Sequence, residues 1–410
     1  MRDLTILISG GGIAGPALAH WLERHGNHPT IVERAPAIRQ GGQAVDFRGA
    51  PQLDVLARMG ILDAVRRAQT RMGDIKIVDA RGRRLSSLPS EAFSGEVEIL
   101  RGTLSRILHD ATDAEYVHDD SITSLTETPA GVHVTFERAA PRTFDLVVGA
   151  DGLRSKVREL VFDEAQLRHL GMYGAIFSIP GTYDLDHEGL MYSAPGRCAT
   201  IMSTGGRTRA ALDFAAPPLT YDHRDRHAQR TLVETAFAGL DWEIPHLLDE
   251  MRRADDFYFA PAAQVVLPRY SSGRVAVLGD AGYGPGPGGM GTGLALIAAY
   301  VLAGELAEAG DHETAFTQYE NHIRPYVEVC HRQAQGADKY LVPQKKSQIW
   351  RRNQMMRLLP YMPGKSLIKR MTDRAAAAIT LKDYDAPPGS PRPARRPPRS
   401  GTAARPAGRR

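Results

Sequence analysis

The chain has 410 residues, 42% of them apolar, which is too long for one ordinary compact domain and apolar enough to exclude a disordered protein. Lys and Arg number 51 against 47 Asp and Glu, but residues 386–410 hold seven Arg and no acid, leaving 44 basic against 47 acidic side chains elsewhere. The folded part is therefore slightly acidic, which argues against a nucleic-acid-binding body.

The elements open with a β-α-β unit. Leu4 to Ile8 reads as a buried strand, Pro16 to His25 as a helix closed by Gly26, and Thr30 to Glu33 as a second strand. Leu53 to Ala68 is an amphipathic helix with a break at Gly60, and Thr103 caps a short helix to Ala111. Val132, Val134 and Phe136 alternate with polar residues, a strand of period two. Phe144 to Val148 is a further strand, and 171–214 is strand-like throughout. Residues 224–251 look helical with a break near Pro245. Arg274 to Leu278 is a buried strand, followed by a glycine-rich stretch and a helix from Leu294 to Ala307. Residues 313–340 and 348–379 are helical, and the Pro/Arg-rich tail from 386 lacks the apolar side chains that repay ordering.

Cys198 and Cys330 are the two cysteines, which fits a reducing, cytoplasmic setting and excludes a disulfide framework. The N-terminus lacks a signal-peptide pattern. The longest apolar run, Leu294 to Ala303, is ten residues, short of a bilayer span, so no membrane partner is expected. No metal site is expected either: Glu313 is followed by Phe316 where a zinc motif needs His.

Three segments carry chemistry. Gly10, Gly12 and Gly15 spell G-x-G-x-x-G between a strand and a helix. The first glycine makes the turn, the second admits a pyrophosphate, and the third lets helix and strand pack closely. The N–H groups of Ile13 and Ala14 lie where the helix N-terminus meets the phosphates. Glu33 ends the second strand, where a carboxylate can accept from a ribose. This spacing marks a dinucleotide site without saying which dinucleotide. The second segment is Val147-Val148-Gly149-Ala150-Asp151-Gly152-Leu153-Arg154-Ser155-Lys156-Val157-Arg158. The third runs from Arg274 through Gly279-Asp280 to Gly291-Thr292-Gly293, where a helix begins.

In order and spacing, the three segments resemble the signatures of FAD-dependent aromatic hydroxylases, the p-hydroxybenzoate hydroxylase-like monooxygenases. The texture is most similar to tetracycline-modifying and polyketide-tailoring members. The resemblance implies an α/β fold: a Rossmann-like FAD-binding domain (1–170 and 265–335), an inserted β-rich substrate domain (171–264) and a helical C-terminus (336–385). It implies Glu33 and Arg34 at adenosine, Arg39 and Asp46 at the nicotinamide donor and FAD, Arg101 at the flavin, and Asp280 at its ribityl chain. Asp151, Gly291, Thr292 and Gly293 complete the cofactor set. The loop departs from the family at Pro285-Gly286-Pro287, where Pro-Pro is common, and has no Asn. The resemblance further implies FAD, a transient NADPH or NADH, O₂ and a small aromatic substrate, with hydroxylation through a C4a-hydroperoxyflavin. The chain is expected to be a monomer or homodimer. Tyr173, Phe177, Met191, Met202 and Phe214 are candidates for substrate contact, and no side chain is assigned as catalytic. Two other outcomes stay open: a flavoenzyme performing Baeyer–Villiger insertion, epoxidation or oxidation without oxygen transfer, and a flavoprotein that binds a ligand without turnover.

Overall fold

The computed structural model describes residues 1–38, 42–90, 94–181, 183–204, 206–358 and 373–384. Arg39 and the tail from 386 lie outside the described residues.

Two large sheets organise the chain. The first has six strands in the order Ser271–Ser272, Val275–Val277, Leu146–Gly149, Thr5–Ser9, His28–Glu33 and Glu115–His118. All its pairings are parallel except the Ser271–Ser272 edge. Parallel strands are covered on both faces, so they read as unbroken apolar runs. Ile6, Leu7, Ile8, Val147 and Val148 accordingly have no exposed surface. Helices Ala14–Arg24 and Gly291–Glu308 pack against each other within the same core, where Trp21 meets Tyr300 edge-on at 4.9 Å. Helix Gly291–Glu308 is apolar on every side, as a core helix must be. Among the described residues it alone is long and apolar enough to cross a membrane, and it is mostly buried inside the protein.

Two helical stretches break as local chemistry dictates. Helices Gly49–Arg58 and Leu62–Arg67 flank Gly60, whose φ of +74° suits a glycine. The stretch 224–251 divides into Arg226–Phe237 and Ile244–Arg253. Its break precedes Pro245, which is tolerated in the first turn of the second helix.

The second sheet has seven strands in the order Tyr258–Val266, Gln166–Ile179, Arg207–Ala215, Arg197–Thr204, Gly189–Ala194, Ile75–Val78 and Arg84–Leu88. The last two correct the expected boundaries. They lie within 1–170, yet Ile75–Val78 runs parallel to Gly189–Ala194 and extends the second sheet. A strand's own pattern does not say which sheet it joins.

The two faces of this sheet differ. Tyr173, Ala175, Phe177, Ile179, Leu212 and Phe214 point to one face and pack under helices Arg226–Phe237 and Ile244–Arg253, against Val233, Phe237, Leu247 and Met251. Met172, Met191 and Cys198 point to the other, together with Ile75, Ile77, Val342 and Met356. That second face is covered only in part, since Gly174, Ile176, Met202, Asp213 and Ala215 all remain half-buried.

Candidate active site

The glycine turn after Thr5–Ser9 is held by contacts that leave no room for side chains. Gly10 has φ +112°, and a Cβ there would lie 2.5 Å from the Ala150 carbonyl oxygen. A Cβ on Gly15 would lie 2.0 Å from the Gly10 oxygen. Gly12 is different: a Cβ there would meet only Arg101 Nη2, at 4.0 Å. So Gly10 and Gly15 are demanded by packing, whereas Gly12 keeps open space above the turn. Glu33 shapes the loop, accepting from Gly11 N–H at 2.7 Å and Ala35 N–H at 2.8 Å. Arg34 follows and is exposed.

The structure brings the second and third segments onto this turn. Asp151 Oδ2 accepts from Lys156 N–H at 2.7 Å, Val157 N–H at 3.3 Å and Ser9 Oγ at 3.3 Å. It thus fixes the short helix Lys156–Val161 to the end of the first strand, while its buried Oδ1 has no partner among the described residues. Arg158 donates to Ala281 O at 2.8 Å and Leu153 O at 2.6 Å, clamping the second segment to the third. Gly279, with φ +64°, sits against both Ala14 and Ala295, where a Cβ would find their methyls at 3.2 and 3.5 Å. The helices starting at Ala14 and Gly291 therefore converge, and no side chain caps either N-terminus. Their N–H groups and positive dipole ends are left for an anionic ligand.

Asp280 is solvent-accessible but surrounded by protein, between the buried segments 275–279 and 281–283, so it lines a recess. Burial raises its carboxyl above the usual range, opposed by the charges of Arg101 and Arg158. Arg101 begins helix Arg101–His109, next to both Gly12 and Gly42. Ser105 of that helix donates to the Gly12 oxygen at 3.2 Å. A Cβ on Gly291 would lie 3.6 Å from Asp280 Oδ1, whereas one on Gly293 would strike the buried Gln52 side chain at 2.2 Å. Gly293 is therefore a packing residue, whereas Gly291 lies beside Asp280 and Thr292 is half-buried. Asp46, on Ala44–Phe47, is paired with Arg48. Beside that pair a cavity of about 220 Å³ is lined by Arg48, Arg71, Met72, Glu96, Glu98 and Asp373, and burial raises Glu98. Met72 also packs in the buried cluster on the partly covered face of the second sheet.

The substrate candidates separate. Tyr173, Phe177 and Phe214 are 3%, 0% and 5% exposed on the helix-covered face, where they build core. Tyr173 stacks on Phe214 and Phe259, and its hydroxyl accepts from Leu219 N–H at 2.7 Å. On the opposite face Met191, 6% exposed, is buried in a cluster with Val342 and Met356, and Met202 lies half-buried at its margin. That face reaches the glycine loop at Leu170, whose Cδ1 lies 2.7 Å from where a Gly286 Cβ would be. Gln264 fastens the same loop to the second sheet, donating to Pro285 O at 3.0 Å and His331 O at 2.8 Å. Arg158, Ser105, Gln52 and Gln264 were not anticipated. Arg158 alone left a signal, a cation one residue after an apolar position and three after a capping Ser155. Among the described residues no group of three metal-ligating side chains occurs.

Known proteins resemble this chain in sequence and in fold. A model of an FAD binding domain matches residues 3–334. A "Flavin-dependent monooxygenase" from an unknown prokaryotic organism is 40% identical over 79% of this chain and 86% of its own. An uncharacterized protein of Mycobacterium tuberculosis strain H37Rv is 40% identical over 93% of this chain and 100% of its own. The crystal structure of the tetracycline destructase Tet(51) superposes with a TM-score of 0.82 at 33% identity, covering 94% of this chain and all of that one (100%). Matched across most of its length in sequence and fold, this chain belongs to the FAD-dependent aromatic hydroxylase-like monooxygenases and is an FAD-dependent oxidoreductase.

Proposed function

We propose that the enzyme uses NADPH or NADH to hydroxylate a mid-sized aromatic or polyketide-like molecule lying on the open face of the second sheet. One observation carries this reading. The sheet face left half-covered is the face that runs, through Leu170, onto the glycine loop following Asp280. A flat ring seated at the helix ends and a substrate on that face would therefore adjoin.

The cradle fits FAD on its own chemistry. The uncapped helix at Ala14 and the space over Gly12 suit the pyrophosphate, with Ile13 and Ala14 supplying N–H groups. Glu33 and Arg34 would hold the adenosine end, Arg101 and Asp280 the middle of the cofactor, and Gly291 and Thr292 would offer N–H groups to its ring. Asp46 stands where the nicotinamide donor would approach, beside the mixed-charge cavity. Asp151 supports this set through Oδ2, which is bonded to the first strand and the following helix, and its Oδ1 is left without a partner among the described residues. When bound, FAD would supply the redox chemistry of a monooxygenation, in which NAD(P)H and O₂ are consumed, one oxygen atom enters the substrate and the other leaves as water. The chain's own work is positional. The uncapped N-terminus of helix Gly291–Glu308 would favour negative charge on a ring seated there by roughly 0.3–2 kcal/mol. The apolar face, with Met172, Met191 and Met202, keeps water from the reacting atoms.

The test is NADPH consumption by the FAD-loaded protein across a panel of polycyclic phenols, with labelled O₂. Faster oxidation with one phenol and one labelled oxygen in the product is the expected result. Consumption without label would point to plain oxidation, and no response to any aromatic would refute the reading.

A further inference from the structure

The open face of the second sheet carries one acid, Asp213, close to Met172, Ile176 and Ala215, with the polar Thr200, Ser178 and Arg209 on the same face of its strands. Asp213 pairs with Gly174 on one neighbouring strand and with Cys198 on the other. Its carboxylate uses the space that Gly174 leaves, because a Cβ there would lie 2.6 Å from Asp213 Oδ1. Among the described residues it has no hydrogen-bond or ionic partner, and burial alone pushes it up to about 7. The neighbouring Cys198 thiol is itself pushed up to about 11 by burial and then by Asp213, so it stays neutral. Arg352, the cation nearest Cys198, is engaged elsewhere, donating to Ser193 Oγ at 2.8 Å and Tyr340 O at 3.0 Å. An unmatched carboxylate among methionines costs the fold free energy that a ligand can return.

Its place decides which ligand. Leu170, at the glycine loop, and Gly174, opposite Asp213, lie on one strand across the bulge between His169 and Tyr173, so they are no more than about 13 Å apart. A fused aromatic with a side arm spans that distance. A hydroxyl would leave the carboxylate charge uncompensated, whereas an ammonium both neutralises it and donates to it. We propose that Asp213 is a specificity-determining residue that receives a protonated amino group, so that preferred substrates are aromatics carrying a basic amine remote from the carbon that is oxygenated. This rests on the open face being the substrate platform.

The probes are two isosteres, dimethylaminomethyl-β-naphthol and isobutyl-β-naphthol, titrated into the FAD-loaded enzyme and followed by perturbation of the flavin spectrum. Tighter binding of the amine by about tenfold or more is expected. In Asp213→Asn the preference should vanish while the isobutyl compound binds as before, which also certifies the fold. Equal affinities in the unmodified enzyme, or a preference surviving in Asp213→Asn, would overturn the inference alone. Failure of both compounds to bind would overturn it together with the platform reading. The unmodified enzyme decides the first point even if the variant does not fold.

Discussion

Gly12 and Gly15 belong to one motif but should fail in opposite ways when changed to Ala. In Gly15→Ala the new methyl would lie 2.0 Å from the Gly10 oxygen and 3.2 Å from Ile8 Cγ2. No rotamer relieves a clash with backbone, so the helix must lift from the first strand by more than about 1 Å. Overpacking of that kind costs about 1–3 kcal/mol, offset by up to about 1 kcal/mol from the better helix propensity of Ala. The apoprotein should therefore lose about 1–2 kcal/mol, a fall of a few degrees in melting temperature. In Gly12→Ala the methyl meets only Arg101 Nη2 at 4.0 Å, so the apoprotein should melt as before. The methyl would, however, stand where the pyrophosphate approaches the turn, and FAD content after purification should fall steeply. Melting curves of both apoproteins and flavin-to-protein absorbance ratios measure the two effects. A Gly15→Ala protein as stable as the parent, or a Gly12→Ala protein that keeps its full flavin, would refute the geometry.

The two faces of the second sheet make a second contrast. Phe177→Ala should cost about 3–5 kcal/mol of stability with little change in KM, because its ring is fully buried beneath the outer helices. Met202→Ala should leave the melting temperature nearly unchanged and alter KM for aromatic substrates; the reverse pattern would exchange the faces. Asp280→Asn should lose FAD yet stabilise the apoprotein at neutral pH. Its folded carboxyl holds its proton to higher pH than the unfolded one, so stability falls as pH rises from about 4, and the variant's advantage should disappear below that pH. Glu305 has the opposite sign. Burial works to raise it, but His322, Lys382 and Tyr384 outweigh that and hold it at about 2. Its contribution is complete above about pH 4.5 and is lost towards pH 2. Glu305→Gln should thus cost on the order of 2 kcal/mol at pH 7 and nothing near pH 2, read from urea midpoints at each pH.

Much of the cofactor region was legible because its demands are local. A turn with φ +112° at Gly10 and a helix starting within four residues require glycines at fixed spacing, whatever lies elsewhere in the chain. The same holds for Gly60, where one residue's backbone ends a helix. Residues whose partners are distant in sequence were not legible. Gln264 anchors a loop more than twenty residues away, and the role of Gly293 depends on Gln52, which approaches from an early helix. Asp151 was read from its segment as a cofactor residue, and its bonds to Ser9 and Lys156, which tie the first strand to the following helix, are visible only in the fold.

Sequence alone thus determined the nature of the site: backbone conformation, strand periodicity and the order of three segments are properties of neighbours along the chain. Tertiary structure decided where the substrate platform lies. Period-two alternation sorts Tyr173 from Met172 but treats both faces alike. The helices Arg226–Phe237 and Ile244–Arg253 settled on the aromatic face, leaving the methionines and Asp213 on the face that meets the glycine loop. The strands Ile75–Val78 and Arg84–Leu88 likewise joined a sheet whose other strands lie more than seventy residues on. Such choices depend on which surfaces bury each other, and that is fixed only when the whole chain packs.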